Sequence, residues 1–184
     1  MRYSIILLVL LFLFSAVSCT AKETRDRLAY QERELHIEAV FSVDGEEVPT
    51  SLTLKAPEYD ESGRMLARDA ALTFGEGSII SGVSFEFSGG CAYVSTGAMK
   101  IPIENEEMLK GISDMISLFC ISGDCYYSSE SVTEGGIECE RSVYINGDDR
   151  VEVTVDLSCM LPTYISANVG GREISARIKM IKAV

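Results

Sequence analysis

Hydrophobic and polar residues alternate over most of this chain, and the exceptions are as informative as the rule. From Arg33 onward, Leu35, Ile37, Ala39, Phe41 and Val43 fall on one side while Glu34, His36, Glu38 and Ser42 fall on the other, the period-two signature of a half-buried strand. Asp44-Gly45 turns that strand, and Leu52, Leu54 and Ala56 repeat the period before Pro57, so residues 33–56 read as a long hairpin. An acidic, glycine-containing loop, PEYDESGR, leads to a strand with Leu66, Ala70, Leu72 and Phe74 on one face. Val83, Phe85 and Phe87 begin the next, Gly89-Gly90 turns into residues 91–95, and a short strand near residues 98–103 follows. Beyond residue 124 the pattern returns in residues 125–132, 137–145, 151–159, 162–169 and 173–182, separated by Gly135-Gly136, Asn146-Gly147 and Gly170-Gly171. Strands of this kind joined by tight turns are antiparallel, with one face wet.

The period changes once inside this region. Residues 104–119 place Met108, Leu109, Ile112, Met115, Ile116 and Phe119 at helical spacing, and Glu104, Glu106 and Glu107 stand at the positive end of the helix dipole. Each large apolar side chain gains about 1.5–3 kcal/mol on full burial, so a stripe of this size must be covered. About ten strands and one central amphipathic helix predict a mainly β (α+β) fold in which a strongly curved antiparallel sheet wraps the helix.

The other exception is the start of the chain. Arg2 and the uncharged apolar run of residues 5–14 have the form of a secretory leader, too short to span a bilayer. Ala16-Val17-Ser18-Cys19 resembles the lipobox at which bacterial lipoprotein leaders are cleaved and the cysteine acylated, with Ala16 where such boxes usually carry Leu. The alternative is ordinary leader cleavage near Ser18 with Cys19 an incidental thiol. The first reading divides the chain into a signal peptide over residues 1–18, a lipidated N-terminus and tether over 19–31, and a folded domain over 32–184. It places the protein outside the cytoplasm, anchored to the cell membrane by lipid on Cys19. Residues 20–31 (TAKETRDRLAYQ) are charge-dense with no long apolar face, which suits a tether or a short helix, and neither buries much.

Length and charge narrow the classes further. A chain of 184 residues, shortened by its leader, holds one domain with a sizeable core. Its formal net charge is −12, and losing Arg2 with the leader makes it more negative still. Such a surface repels phosphate backbones and anionic headgroups, which argues against nucleic acid or polybasic membrane docking as partners. Cys19 aside, the cysteines are Cys91, Cys120, Cys125, Cys139 and Cys159, an odd number that leaves one thiol for a subunit cross-link, hence a thiol-linked dimer. Cys120 and Cys125 are candidates for a disulfide by proximity; the alternative is that all five are small buried apolar residues.

Catalytic and metal-binding patterns are thin. His36 is the only histidine and sits on the polar side of its strand, where a solvated side chain is the reading rather than a general base. No GxSxG, SxxK, HExxH or P-loop string occurs, and no CxxC pair or nearby histidine supports zinc. Asp148-Asp149 beside Asn146 lack the spacing of a calcium loop and read as a solvated turn. The expectation is therefore no enzyme, no cofactor and no metal.

The strings SLTLKAP, AALTFGEGSIISGVSFEF and VTVDLSCMLPTYISANVGGREI resemble the strand, proline and glycine punctuation of the LolA and LolB lipoprotein-carrier superfamily. The resemblance is closer to the carrier-like lipoproteins of Gram-positive spore formers, which include the germination lipoprotein, and it covers about residues 30–182. It implies an unclosed antiparallel half-barrel, lidded by helix, whose concave face binds acyl chains, lipoproteins or other apolar ligands, or an envelope partner protein. On that reading the groove takes Met108, Ile112, Met115, Ile116 and Phe119 from the helix and Phe85, Phe87, Val153 and Val155 from the strands. The residue-level alternative is that these side chains are ordinary core, in which case the protein is an envelope structural or interaction lipoprotein with a filled interior. The chain has no tryptophan and lacks the Arg-Trp dipeptide of the classical carriers, so the resemblance carries over fold and groove rather than their transport cycle.

Overall fold

Two antiparallel meanders share one sheet. The computed structural model of the chain describes residues 27–61, 68–77, 81–88, 91–96, 99–104 and 106–184, so the leader, Cys19 and Leu66 lie outside the described residues. The first meander comprises β1 (Leu35–Val43), β2 (Glu46–Leu54), β3 (Ala70–Phe74), β4 (Ser84–Ser88), β5 (Cys91–Thr96) and β6 (Met99–Pro102). Helix α1 (Glu106–Ser117) follows, and then the second meander: β7 (Tyr126–Glu134), β8 (Ile137–Asn146), β9 (Asp149–Asp156), β10 (Leu161–Val169) and β11 (Arg172–Ala183). The strand order in the single eleven-stranded sheet is β6-β5-β4-β3-β2-β1-β11-β10-β9-β8-β7.

This order explains the helix. β1 and β11, the first and last strands, pair in the middle of the sheet from Leu35↔Ala183 to Val43↔Ile174, whereas β6 and β7, neighbours in sequence, form its two edges. The connection from β6 to β7 has to cross the sheet, and its apolar stripe makes the concave face the favourable route. The sheet stays open because its edges do not pair. The expected half-barrel around one helix is thus the observed architecture, with eleven strands among the described residues.

Local sequence sets the register. Asp44 and Gly45 both take positive φ, +50° and +89°, as a two-residue type I′ hairpin turn requires, and the strands they join pair residue for residue from Val43↔Glu46 to Leu35↔Leu54. That register sends Leu35, Ile37, Phe41, Leu52 and Leu54 to the concave side, where they are fully buried with Leu72, Ile165 and Ile174. The helix contributes Ile112 and Met115, and the turn after it Leu118 and Phe119, all buried. Phe119 meets Phe41 edge-on at 6.3 Å between ring centroids, and Phe74 meets Phe85 likewise at 5.5 Å, the geometry the aromatic quadrupole prefers.

The stretch expected to bury little does otherwise over its described part. Leu28, Tyr30 and Gln31, around a 3₁₀ turn at Ala29–Glu32, are buried in the core. Gln31 Oε1 accepts the backbone N–H of Ile121 at 2.9 Å, and Arg27 pairs with Glu140 at 2.9 Å. Leu28 and Tyr30 have an uncovered hydrophobic interior beside them, and burying them outweighs the charge density of the segment.

Burial raises the phenol of Tyr30 well above its ordinary value and pushes that of Tyr144 up to about 12. A raised folded-state value means the neutral phenol is favoured by folding. Its contribution is therefore complete below the unfolded value of about 10 and is lost as pH climbs toward the folded one. The denaturation midpoint should fall above pH 10, and in a spectrophotometric titration these two rings should ionise together with unfolding. Early, reversible ionisation of every tyrosine in the folded protein would contradict their burial.

Candidate functional site

Helix α1 covers the middle of the concave face and leaves the β4–β6 flank uncovered. Residues directly opposite on neighbouring strands share a face, so the pairings Phe87↔Ala92, Phe85↔Val94 and Val94↔Ile101 carry the inner face from β4 to the β6 edge. There it meets solvent: Ile101 is 51% and Met99 63% exposed. Between this flank and the helix runs an open groove of about 590 Å³, lined on the sheet side by Phe87, Cys91, Ala92, Tyr93, Pro102 and Ile103 and on the helix side by Leu109, Lys110 and Ser113. Its walls are mostly apolar, with one cation and one hydroxyl on the helix side. This is the arrangement for an apolar chain whose polar end stays at the rim.

Of the groove residues expected from sequence, Phe87 lines this groove. Phe85, Ile112, Met115, Phe119, Val153 and Val155 are buried in the core, and Ile116 is half-buried against it. The side chain of Met108 lies outside the described ones. The concave face beneath the helix is thus packed, and the free volume lies beside it. Leu109 and Ile103 were legible as apolar positions of the helix stripe and the last strand before it. Tyr93 and Pro102 carried no such signal.

The reactive side chains are quiet. Cys91, Cys120, Cys125, Cys139 and Cys159 are all free thiols in this structure, Cys91 exposed at the groove and Cys139 buried. Burial raises the thiol of Cys120, against a smaller opposing pull from the neighbouring Arg68, and burial also raises that of Cys139. Neither is an activated nucleophile. His36 is held on the outer face by Thr53, 3.2 Å from Nδ1, and by Glu34, 3.3 Å from Nε2. Asp149 Oδ1 accepts the N–H of Gly170 at 3.1 Å and so ties two turns together. Among the described residues no group of three His, Cys, Asp or Glu side chains is placed to hold a metal ion, and no helix is long and apolar enough to cross a membrane.

No protein-family model and no curated protein sequence matches the chain. Solved structures do. An uncharacterized conserved protein from Thermus thermophilus aligns with TM-score 0.50 at 10% identity over 89% of this chain and 87% of its own. MucB aligns with TM-score 0.48 at 13% identity over 89% of this chain, which spans only 58% of MucB's length. A LolA superfamily protein from Nitrosomonas europaea aligns with TM-score 0.41 at 10% identity over 88% of this chain and 91% of its own. At such identities the likeness is one of fold. The fold is an open antiparallel half-barrel curved over one helix.

Proposed function

We propose that the protein is an exported, non-enzymatic binding module, cleaved before Cys19 and anchored to the outer side of the cell membrane through lipid on that residue. In the groove between α1 and β4–β6 it holds an apolar ligand, an acyl chain or an apolar segment of an envelope protein. The observation that carries this reading is the groove itself: an open, mostly apolar volume of about 590 Å³ on a sheet whose inner face beneath the helix is filled. Native mass spectrometry of the purified protein should find a bound acyl species that Leu109→Glu loses while its melting temperature stays within a few degrees. An empty groove that also fails to bind a fluorescent fatty-acid probe would remove the acyl ligand.

Two acyl chains, each buried methylene worth about 0.8 kcal/mol, hold a protein on a bilayer durably. Cys19→Ala should therefore move the protein from the membrane fraction to the soluble one, or leave the uncleaved precursor, with the fold unchanged by circular dichroism. Wild-type protein recovered soluble, with an unmodified residue 19 by intact mass, would end the anchoring reading. The packed face beneath the helix supports a second reading, an envelope interaction protein with a filled core, in which the exposed thiol of Cys91 cross-links two copies. Non-reducing electrophoresis separates the two: a dimer abolished by Cys91→Ser supports the second, and a monomer throughout counts against it. We also propose the Cys120–Cys125 disulfide for protein matured outside the cell, read by intact mass before and after reduction.

A further inference from the structure

Both ends of the half-barrel expose acids, and they differ in the apolar side chains that their turns carry. At one end lie the β1–β2, β8–β9 and β10–β11 turns, joined by hydrogen bonds from Asp44 N–H to the Glu173 carbonyl and from Gly170 N–H to Asp149, and by the Arg172–Asp44 pair. This end is acidic, with Asp44, Glu46, Glu47, Asp148 and Glu173 exposed. At the other end lie the β7–β8 and β9–β10 turns, brought together by the Cys139↔Asp156 pairing and by the Leu157 N–H bond to the Glu138 carbonyl at 3.1 Å. Here three large apolar side chains stand in solvent, Ile137 at 47%, Leu157 at 40% and Met160 at 37% exposure. Glu134, Glu138 and Asp156 stand beside them, with Glu58, Asp60, Glu61 and Asp69 exposed elsewhere at this end, and the Asp156 carboxylate is engaged by the Ser158 N–H at 2.7 Å.

The chain also enters the domain at this apolar end. β1 begins there, since Leu35 pairs with Ala183 and with Leu54, and Arg27 is fixed to Glu140, three positions from Ile137. The eight Cα-to-Cα steps from Cys19 to Arg27 reach at most about 28 Å when fully extended, roughly the length of a nine-residue strand. A lipid on Cys19 therefore holds the domain within one strand length of the bilayer.

We infer that the β7–β8 and β9–β10 turns form a bilayer-facing surface, with Ile137, Leu157 and Met160 entering the boundary between headgroups and acyl chains and the β1–β2, β8–β9 and β10–β11 turns pointing away. The inference rests on the proposed anchor at Cys19, which supplies the proximity; the exposed apolar turns supply the orientation. The acids flanking the apolar side chains favour a zwitterionic headgroup over an anionic one. The same end carries the β4–β5 turn, because Phe87 pairs with Ala70 and Ala70 with Leu54. The Phe87 and Cys91 mouth of the groove thus opens on the membrane side, and an acyl ligand taken from the leaflet has a short path through water.

The absence of native tryptophan makes the test clean. Full-length lipidated protein carrying Leu157→Trp, Ile137→Trp or, at the acidic end, Ile145→Trp is reconstituted in phosphatidylcholine vesicles with brominated acyl chains. Emission from residues 157 and 137 should shift to the blue and be quenched several-fold more than emission from residue 145, with unchanged circular dichroism in all three. Equal quenching at both ends, or none at 157 and 137 while the protein still floats with the vesicles, overturns the orientation and leaves the anchor standing. Protein that fails to float with vesicles overturns the anchor, and the orientation with it.

Discussion

Phe119→Ala is expected to destabilise the domain by about 3–5 kcal/mol, a fall of roughly 10 °C or more in melting temperature for a domain of this size. Phe119 is fully buried just beyond α1 and meets the fully buried Phe41 edge-on. Truncation removes the transfer free energy of the ring and leaves a cavity at the contact between helix and mid-sheet. The sheet cannot collapse to fill it, because β1, which carries Phe41, is held by neighbours on both sides. This variant also separates core from ligand wall. A groove residue would lose probe binding at little cost in stability, whereas Phe119→Ala should lose stability and, at temperatures where it stays folded, keep probe binding. Thermal melts and probe titrations read both; normal melting with lost binding would move Phe119 into the site.

Arg68→Ala should cost about 2–4 kcal/mol. Arg68 is only 6% exposed, and its Nε and Nη2 donate to the carbonyls of Lys55 at 2.8 Å and Arg33 at 2.7 Å. It thus clasps the residue following β2 to the segment that leads into β1. Its remaining arm, Nη1, is buried without an oxygen or nitrogen partner, and the guanidinium lies beside the Cys120 thiol. Alanine removes both clasping bonds and opens a void. Arg68→Met fills most of the space and removes the buried charge, so it should recover part of the loss. Denaturant midpoints in the order wild type, Arg68→Met, Arg68→Ala are expected, and an Arg68→Ala midpoint equal to wild type would show that the clasp contributes nothing.

Strand by strand, the fold was legible in alternation, because a half-buried strand must show period two and this chain keeps it through tight, glycine-marked turns. Neighbour order was not. Nothing in the pattern of β1 distinguishes a strand paired with β11 in mid-sheet from an edge strand, since both need the same inward face. The core function of the 28–31 segment was hidden for a related reason: two apolar side chains and a buried glutamine in a 3₁₀ turn have no periodicity to detect. The site was harder still. Ile112, Met115 and Phe119 share one stripe with Leu109, yet the first three are core and the last lines the groove. An apolar side chain packed on protein and one awaiting an apolar ligand satisfy the same physical demand, so only the placement of the helix tells them apart.

The pairing of β1 with β11 has a consequence for biogenesis. When a chain emerges from its N-terminus, the first meander is available while the strand that completes its centre is still to come. Until residues 172–183 arrive, β1 presents one full side of unpaired N–H and C=O groups next to an apolar face, the template on which strands of other chains pair. Contacts between the ends of the sequence also make the final step slow to close. On the proposed export there is no ATP-driven refolding to rescue the chain, so the interval between first and last strand is its window of greatest exposure to aggregation and proteolysis. Shortening the chain by its last strand would leave that window permanently open, with the helix lying over half a sheet.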